Sequence, residues 1–446
     1  MRLRRVWSLW LPLAISFELM MLEGPAVQAA IGRLPQASLH LAAWGLTMSL
    51  ALLVESPVIM LLATTIALVK DECSYRALRR FMLTVAAGCT LVSGLVSFTP
   101  LFHGVAVVWM KQPPEIAAAA RPALQIMLFW VAAIAWRRFY QGILIRYGFT
   151  RRVSWGTLIR LTTAICTAVL LTRWGGMPGV QVGACTLMAA VLIEALATTG
   201  FSWSVVRREL HARIDVIEPP LTQPAILRFH APLAATTLMT LLASPLTAAA
   251  LARLAAPEAT LAAAPVVFML LLVMRGWGMA LQEITVAVAQ DPASRPTLRT
   301  FTWIVGSVTS GATAFIAFTP LLDLYLGRVI HLSQGLRPYA HVGIALGILL
   351  PLITALSAQA RGLLMAGRAT KAIYHGMGVN LLTHVVVLCL GVGLGLPGMW
   401  VAAGAFTLAA LAEYVYLTRC LEPLLAIATS TSAVVVESSA CVPVEP

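Results

Sequence analysis

Eleven ionisable side chains interrupt stretches that are otherwise apolar: Glu18, Glu23, Glu55, Arg137, Arg138, Arg160, Glu194, Arg275, Glu283, Arg361 and Glu413. At the centre of a membrane-spanning helix each would cost about 2.5–3.5 kcal/mol unless paired or wetted. Eleven of them cannot all face lipid, so they line a cavity, pair with one another, or sit at interfaces. Lining a cavity would suit recognising and moving a charged solute, whereas pairing with one another would serve structure. Bond-making chemistry finds no support, because a nucleophile elbow, P-loop, Rossmann fingerprint and H-E-x-x-H motif are all missing. The seven cysteines include no C-x-x-C, and Cys89, Cys166, Cys185 and Cys389 fall in apolar runs where Cys behaves as a small hydrophobe. The expectation is therefore no enzyme, no cofactor, no metal and no disulfide framework.

Four residues form the candidate substrate- or ion-binding set: Glu18, Glu23, Glu55 and Arg275. Glu55 and Arg275 are related by an offset of 220 (275 − 55), which recurs along the chain. They are either a charged pair lining a central cavity or a structural ion pair between two halves. Glu18 and Glu23 lie five residues apart, which turns a straight helix by about 500° and leaves their faces about 140° apart. One is a candidate proton-titrating or substrate group and the other a candidate interhelical contact. Glu194 and Glu413, related by a near-equal offset of 219 (413 − 194), read as scaffold. Arg137, Arg138 and Arg361 lie toward predicted helix ends, where long side chains snorkel to the interface. Arg160 is matched by Asn380 and could face a cavity between helices. His230 and His384 read as local hydrogen-bonding groups.

The elements that must hold these residues repeat. Phe98-Thr99-Pro100-Leu101 returns as Phe318-Thr319-Pro320-Leu321, again at an offset of 220 (318 − 98). At the same offset Pro12 matches Pro232, Pro25 matches Pro245, Arg33-Leu34 matches Arg253-Leu254, and Gly142-Ile143-Leu144 matches Gly362-Leu363-Leu364. The chain is a duplication of a half about 200 residues long. The acids of the first helix are special to the first half, because Leu238 and Ala243 stand at the places of Glu18 and Glu23.

With 446 residues, 59% of them hydrophobic and 11% charged, and a mean hydropathy of +0.86, the chain is far less charged than the roughly 25% of soluble proteins. Its apolar runs repeatedly exceed the roughly 20 residues that span a bilayer. The spacing predicts an all-α polytopic membrane protein of about twelve helices, in two parallel six-helix repeats around a central cavity. The helices fall near 10–32, 38–69, 77–102, 116–147, 153–174 and 179–206, then 226–252, 258–289, 298–327, 336–366, 371–395 and 397–420. The domains are an N-terminal lobe over 1–206, a cytoplasmic linker over 207–225, a C-terminal lobe over 226–423 and a disordered tail over 424–446. The basic start followed by an apolar run resembles a signal peptide. The same segment recurs mid-chain, so it reads as a retained first helix. Nineteen basic residues fall in loops on the side of the termini and seven on the opposite side, which puts both termini in the cytoplasm. The net charge of +13 is thus a topology signal and not a nucleic-acid one. Six helices per half give the halves the same orientation, with a substrate site between them.

Two six-helix parallel halves, a mid-chain linker, and charges on helices 1, 2 and 8 together resemble the multidrug/oligosaccharidyl-lipid/polysaccharide (MOP) flippase superfamily over about residues 8–420. The loop Lys70-Asp71-Glu72-Cys73-Ser74-Tyr75-Arg76 lacks the G-x-x-x-D-R-x-G-R-R pattern of the major facilitators. Leu41–Leu50 and Ala133–Trp136 followed by Gly142–Ile145 resemble the progressive ankylosis family within that superfamily, which is associated with export of small anions. Glu18 and Glu23 resemble the helix-1 membrane acids of the drug-exporting branch. The lipid-linked-glycan branch uses cavity arginines on helices 1, 2 and 8, of which Arg275 alone is matched here; helix 2 carries Glu55 instead. The resemblance implies a secondary transporter or flippase in the bacterial cytoplasmic membrane. Its partners would be membrane lipids, an anionic, amphiphilic or lipid-linked substrate and a coupling ion (H⁺ or Na⁺), with no nucleic acid. The alternative is a membrane scaffold on the same fold, whose charges would be buried in dry, fully paired contacts.

Overall fold

The computed structural model describes residues 3–210, 221–288, 294–366 and 369–439. Within them the chain is helical, with no strand. Twelve helical rods run in order. The first six are α1 (Leu3–Met21 and Glu23–Gly32), α2 (Ala37–Ile59 and Leu61–Leu68), α3 (Glu72–Phe98), α4 (Pro114–Ile126 and Trp130–Arg146), α5 (Thr150–Trp174) and α6 (Gly179–Val205). The second six are α7 (Gln223–Leu251), α8 (Pro257–Met279 and Leu281–Val288), α9 (Arg295–Phe318), α10 (Arg337–Leu346 and Leu350–Ala366), α11 (Thr370–Gly393) and α12 (Gly398–Ser439). Among the described residues ten helices are long and apolar enough to cross a membrane, or eleven when the two segments of α4, bent by 46°, count as one span. The twelfth, α1, is not among them. The expected linker falls mostly on residues 211–220, outside the described ones, and so do the last seven of the expected tail; α12 runs into that tail as far as Ser439.

The duplication is legible in local geometry. The break in α2 at Met60 and that in α8 at Ala280 stand at the repeat offset (280 − 60), as do the breaks in α4 and α10 that begin at Met127 and Gly347. Among the described residues four non-glycine ones have left-handed φ: Gln36 (55°) and Ala256 (51°) form one pair at that offset, and Lys111 (56°) and His331 (60°) the other. Such a conformation is uncommon in L-residues, so its recurrence marks inherited turns. In each Phe-Thr-Pro-Leu turn the threonine is extended and proline opens the next helical turn. Arg121 on α4 donates to the Ser97 and Phe98 carbonyls at 2.9 and 3.0 Å, satisfying acceptors that the end of α3 leaves free.

The halves meet through α1, α2, α7 and α8. On the side of the termini the contact is made twice by symmetric residues. Trp10 donates from Nε1 to the Trp277 carbonyl at 3.2 Å and packs edge-on against Phe301. His230, the counterpart of Trp10 in the repeat, lies 2.8 Å from the Pro57 carbonyl through Nε2 and packs edge-on against Phe81. His230 Nδ1 also meets the Thr64 hydroxyl at 2.8 Å, so this histidine bridges the halves rather than bonding locally. Both carbonyls sit one turn before the breaks at Met60 and Ala280, where helical donors run out. On the opposite side Gln112 donates to the Ala248 carbonyl at 2.9 Å, Gln28 to that of Pro265 at 2.9 Å, and Arg253 to that of Met110 at 3.2 Å.

One feature breaks the symmetry. α1 is interrupted at Leu22, whereas α7 is continuous through Leu242. Prolines 25 and 245 are present in both, and each removes the donor to the carbonyl four residues back, so proline alone does not decide. What differs is Glu23-Gly24, which stands where α7 has Ala243-Ser244.

Candidate functional site

A cavity of about 500 Å³ lies between the halves. α1, α2, α4, α5, α6, α7, α8, α10 and α12 contribute to its wall, with Trp44, Trp130, Phe268 and Phe406 among the apolar residues. Its charged wall consists of Glu23, Glu55, Arg137, Arg138, Arg160 and Arg275. Three of the four residues expected at a site are thus brought to one cavity.

Glu18 is the exception. Its carboxylate is buried against α8, where a Cβ on Gly276 would stand 2.3 Å from Glu18 Oε1. The helix turn and the break at Leu22 send the two acids of α1 to different surroundings. Glu283 is exposed near the end of α8 rather than facing the interior.

Most of the interior charges are paired, and the pairing is symmetric at its centre. In the first half Glu194 on α6 accepts from Arg137 at 2.8 Å and from Gln141 at 3.0 Å, with Arg160 Nε at 3.8 Å. In the second half Glu413 on α12 accepts from Arg361, at 2.9 Å from Nε, and from Asn380 at 2.9 Å. Gln141 is the counterpart of Arg361 and lies one turn after Arg137, so both arginines reach the equivalent acid from the same helix face. Arg160 is the counterpart of Asn380. Its additional charge is committed to Glu23, which accepts from Nε at 3.1 Å and from a terminal nitrogen as well. Ala243 gives the second half no such acid.

This corrects one expectation. Arg137 and Arg138 do not snorkel to an interface; Arg137 is 4% exposed and both line the cavity. Arg361 is likewise held by Glu413. The helix ends fall where hydropathy placed them, at Arg146 and Ala366; what holds Arg137 and Arg361 is an acid on a neighbouring helix, Glu194 for one and Glu413 for the other. The signal available in the sequence was the pair of symmetric acids, since a buried carboxylate in each half demands a cation on a neighbouring helix.

Three charges of the cavity wall remain. Among the described residues no carboxylate lies within 4.0 Å of the Arg138 or Arg275 guanidinium, and no cation within 4.0 Å of the Glu55 carboxylate. Arg275 donates to the Thr354 hydroxyl at 2.7 Å, and Arg138 Nε is buried without a partner. Arg137, Arg138 and Arg160 line the same cavity wall as Glu55. The direct Glu55–Arg275 ion pair is therefore absent: the two share a cavity without touching. No cluster of three or more His, Cys, Asp or Glu that could hold a metal occurs among the described residues.

Helical halves in repeat, with an interior cavity between them and charges facing it, define a polytopic all-helical fold. That fold is the one of MOP superfamily transporters. The structure of the lipid II flippase MurJ in an inward closed conformation matches with a TM-score of 0.69 at 12% identity, over 92% of this chain and 87% of that one. The Vibrio cholerae MATE transporter VcmN matches at 0.63 and 15%, over 94% and 97%. A MOP superfamily transporter from Pyrococcus furiosus, described as having a binding pocket of reverse polarity, matches at 0.60 and 16%, over 92% and 95%. No family model matches the sequence, and no curated protein does.

Proposed function

We propose that the protein is a secondary transporter or flippase that exports an anionic amphiphile or lipid-linked intermediate by alternating access. One observation carries this reading: Arg138 from the first half and Arg275 from the second both line one largely apolar cavity, and among the described residues neither has a carboxylate in ion-pair reach. An unpaired cation in an apolar wall is costly unless an anion or water meets it. A ligand with an anionic head and an apolar body answers both parts of that wall. The scaffold alternative called for dry, fully paired charges, and Arg138 and Arg275 do not meet it.

Movement follows from the contacts between the halves. Trp10 and His230 fasten them on the side of the termini, and Gln28, Gln112 and Arg253 on the other. Releasing one set while the other holds exposes the cavity to one side at a time. No nucleotide-binding segment occurs in the sequence, so an ion or substrate gradient drives the cycle, with H⁺ or Na⁺ as coupling ion. The basic loops support cytoplasmic termini in a bacterial inner membrane.

The test is transport by purified protein in vesicles, using fluorescent amphiphiles that carry a phosphate, a quaternary ammonium or no charge, with and without a proton or sodium gradient. The phosphate-bearing probe should move fastest, and Arg138→Ala with Arg275→Ala should abolish the preference. Equal or faster movement of the ammonium probe would overturn the reading.

A further inference from the structure

Building on the anionic reading of the cavity, we infer that the substrate also carries a cationic amine, and that Glu55 is the residue that selects it. Glu55 and Arg275 occupy equivalent positions on α2 and α8, so the duplication places them at matching depth on the two sides of one cavity. Their signs are opposite. A molecule lying across the cavity meets an acceptor-only carboxylate at one position and a donor-only guanidinium at the other.

The carboxylate is free for this role. Glu55 is 5% exposed and lines the cavity, yet it makes no hydrogen bond among the described residues. Of the three first-half arginines that line the cavity with it, Arg137 is held by Glu194 and Arg160 by Glu23. Arg138, the third, stays beyond 4.0 Å. A buried acid kept in an apolar wall with no donor of its own is costly, and a protonated amine supplies up to three donors together with the compensating charge. Arg275 takes the anionic group of the same molecule, with Thr354 fixing the guanidinium at 2.7 Å. The substrate class is a zwitterionic amphiphile: a phosphate or carboxylate, a primary amine and an apolar body.

The experiment compares two soluble probes, dihexanoyl phosphatidylethanolamine and its N-acetylated form, which keeps the phosphate and loses the amine. Binding to the full-length protein in detergent is read by the fluorescence of the cavity tryptophans Trp44 and Trp130. Net charge alone favours the acetylated probe. The inference predicts the reverse, with the free amine bound about tenfold more tightly, the scale of one charge-assisted hydrogen bond. Glu55→Gln should weaken only the amine-bearing probe and bring the ratio to about one, Glu55→Asp should retain the preference, and Arg275→Gln should weaken both probes. Thermal melting of each variant checks that it is folded, and if Glu55→Gln does not fold, the wild-type ratio and Glu55→Asp decide. Equal or tighter binding of the acetylated probe overturns the amine inference and leaves the anionic reading standing. A ratio unchanged in Glu55→Gln also overturns it. Binding of neither probe defeats both.

Discussion

Glu55 and Arg275 are counterparts in the repeat, face one cavity from opposite halves and make no ion pair. Their effects on stability should therefore be independent. Glu55→Gln and Arg275→Gln are expected to add within about 0.5 kcal/mol in a double-mutant cycle, read from melting in detergent. The exchange Glu55→Arg with Arg275→Glu should fold and fail to transport. A coupling well above about 1 kcal/mol, or transport restored by the exchange, would mean that the two residues do pair.

Arg160 is the partner of a nearly buried acid, and removing it alone should be severe. Arg160→Ala leaves Glu23, 5% exposed, without its cation, at a cost of about 3–5 kcal/mol. The second half already contains the neutral solution, Asn380 with Ala243. Arg160→Asn combined with Glu23→Ala should recover most of the lost stability. If the double variant melts no higher than Arg160→Ala, the two halves do not share this scaffold.

Gly276 makes room for Glu18. A methyl group there would lie 2.3 Å from Glu18 Oε1, so Gly276→Ala should destabilise by about 1–3 kcal/mol. Adding Glu18→Ala should relieve most of that loss. Gly88→Ala is the control, because nothing lies within 4 Å of its added carbon and alanine suits a helix interior better by about 0.5–1 kcal/mol.

The two sets of contacts between the halves should act in opposition. Trp10→Ala with His230→Ala removes the hydrogen bonds to the Trp277 and Pro57 carbonyls and to the Thr64 hydroxyl on the side of the termini. Gly32→Ala drives a methyl group into the Ile330 carbonyl, 1.6 Å away, on the other side. A cysteine at Ser244, on the cavity wall, should become more reactive from the side of the termini in the first variant and from the opposite side in the second. Identical reactivity profiles would argue against gating by these contacts.

Orientation can be read from Cys73, which is exposed near the start of α3. In a variant lacking the exposed Cys166 and Cys389, an impermeant maleimide should label Cys73 in inside-out vesicles and not in intact cells. Labelling of intact cells would reverse the topology inferred from the basic loops.

The sequence by itself determined the helices and their repetition. Hydrophobic length, proline and glycine punctuation and the constant repeat offset are local properties of the chain, and they located both halves and the positions of Glu23, Glu55 and Arg275 on the helices that line the cavity, though not the breaks at Met60 and Ala280. It also required the interior charges to be paired or wetted, because a bilayer leaves no third choice. Which charges pair was decided only by tertiary structure. Glu23 meets Arg160 across 137 residues of chain, and Arg137 turns inward to Glu194 instead of reaching for an interface. Glu55 and Arg275, the pair that symmetry suggested most strongly, stay apart. Symmetry fixes equal depth along two helices, whereas contact depends on the distance between them and the direction of each side chain, and those follow from the packing of all the helices around the cavity.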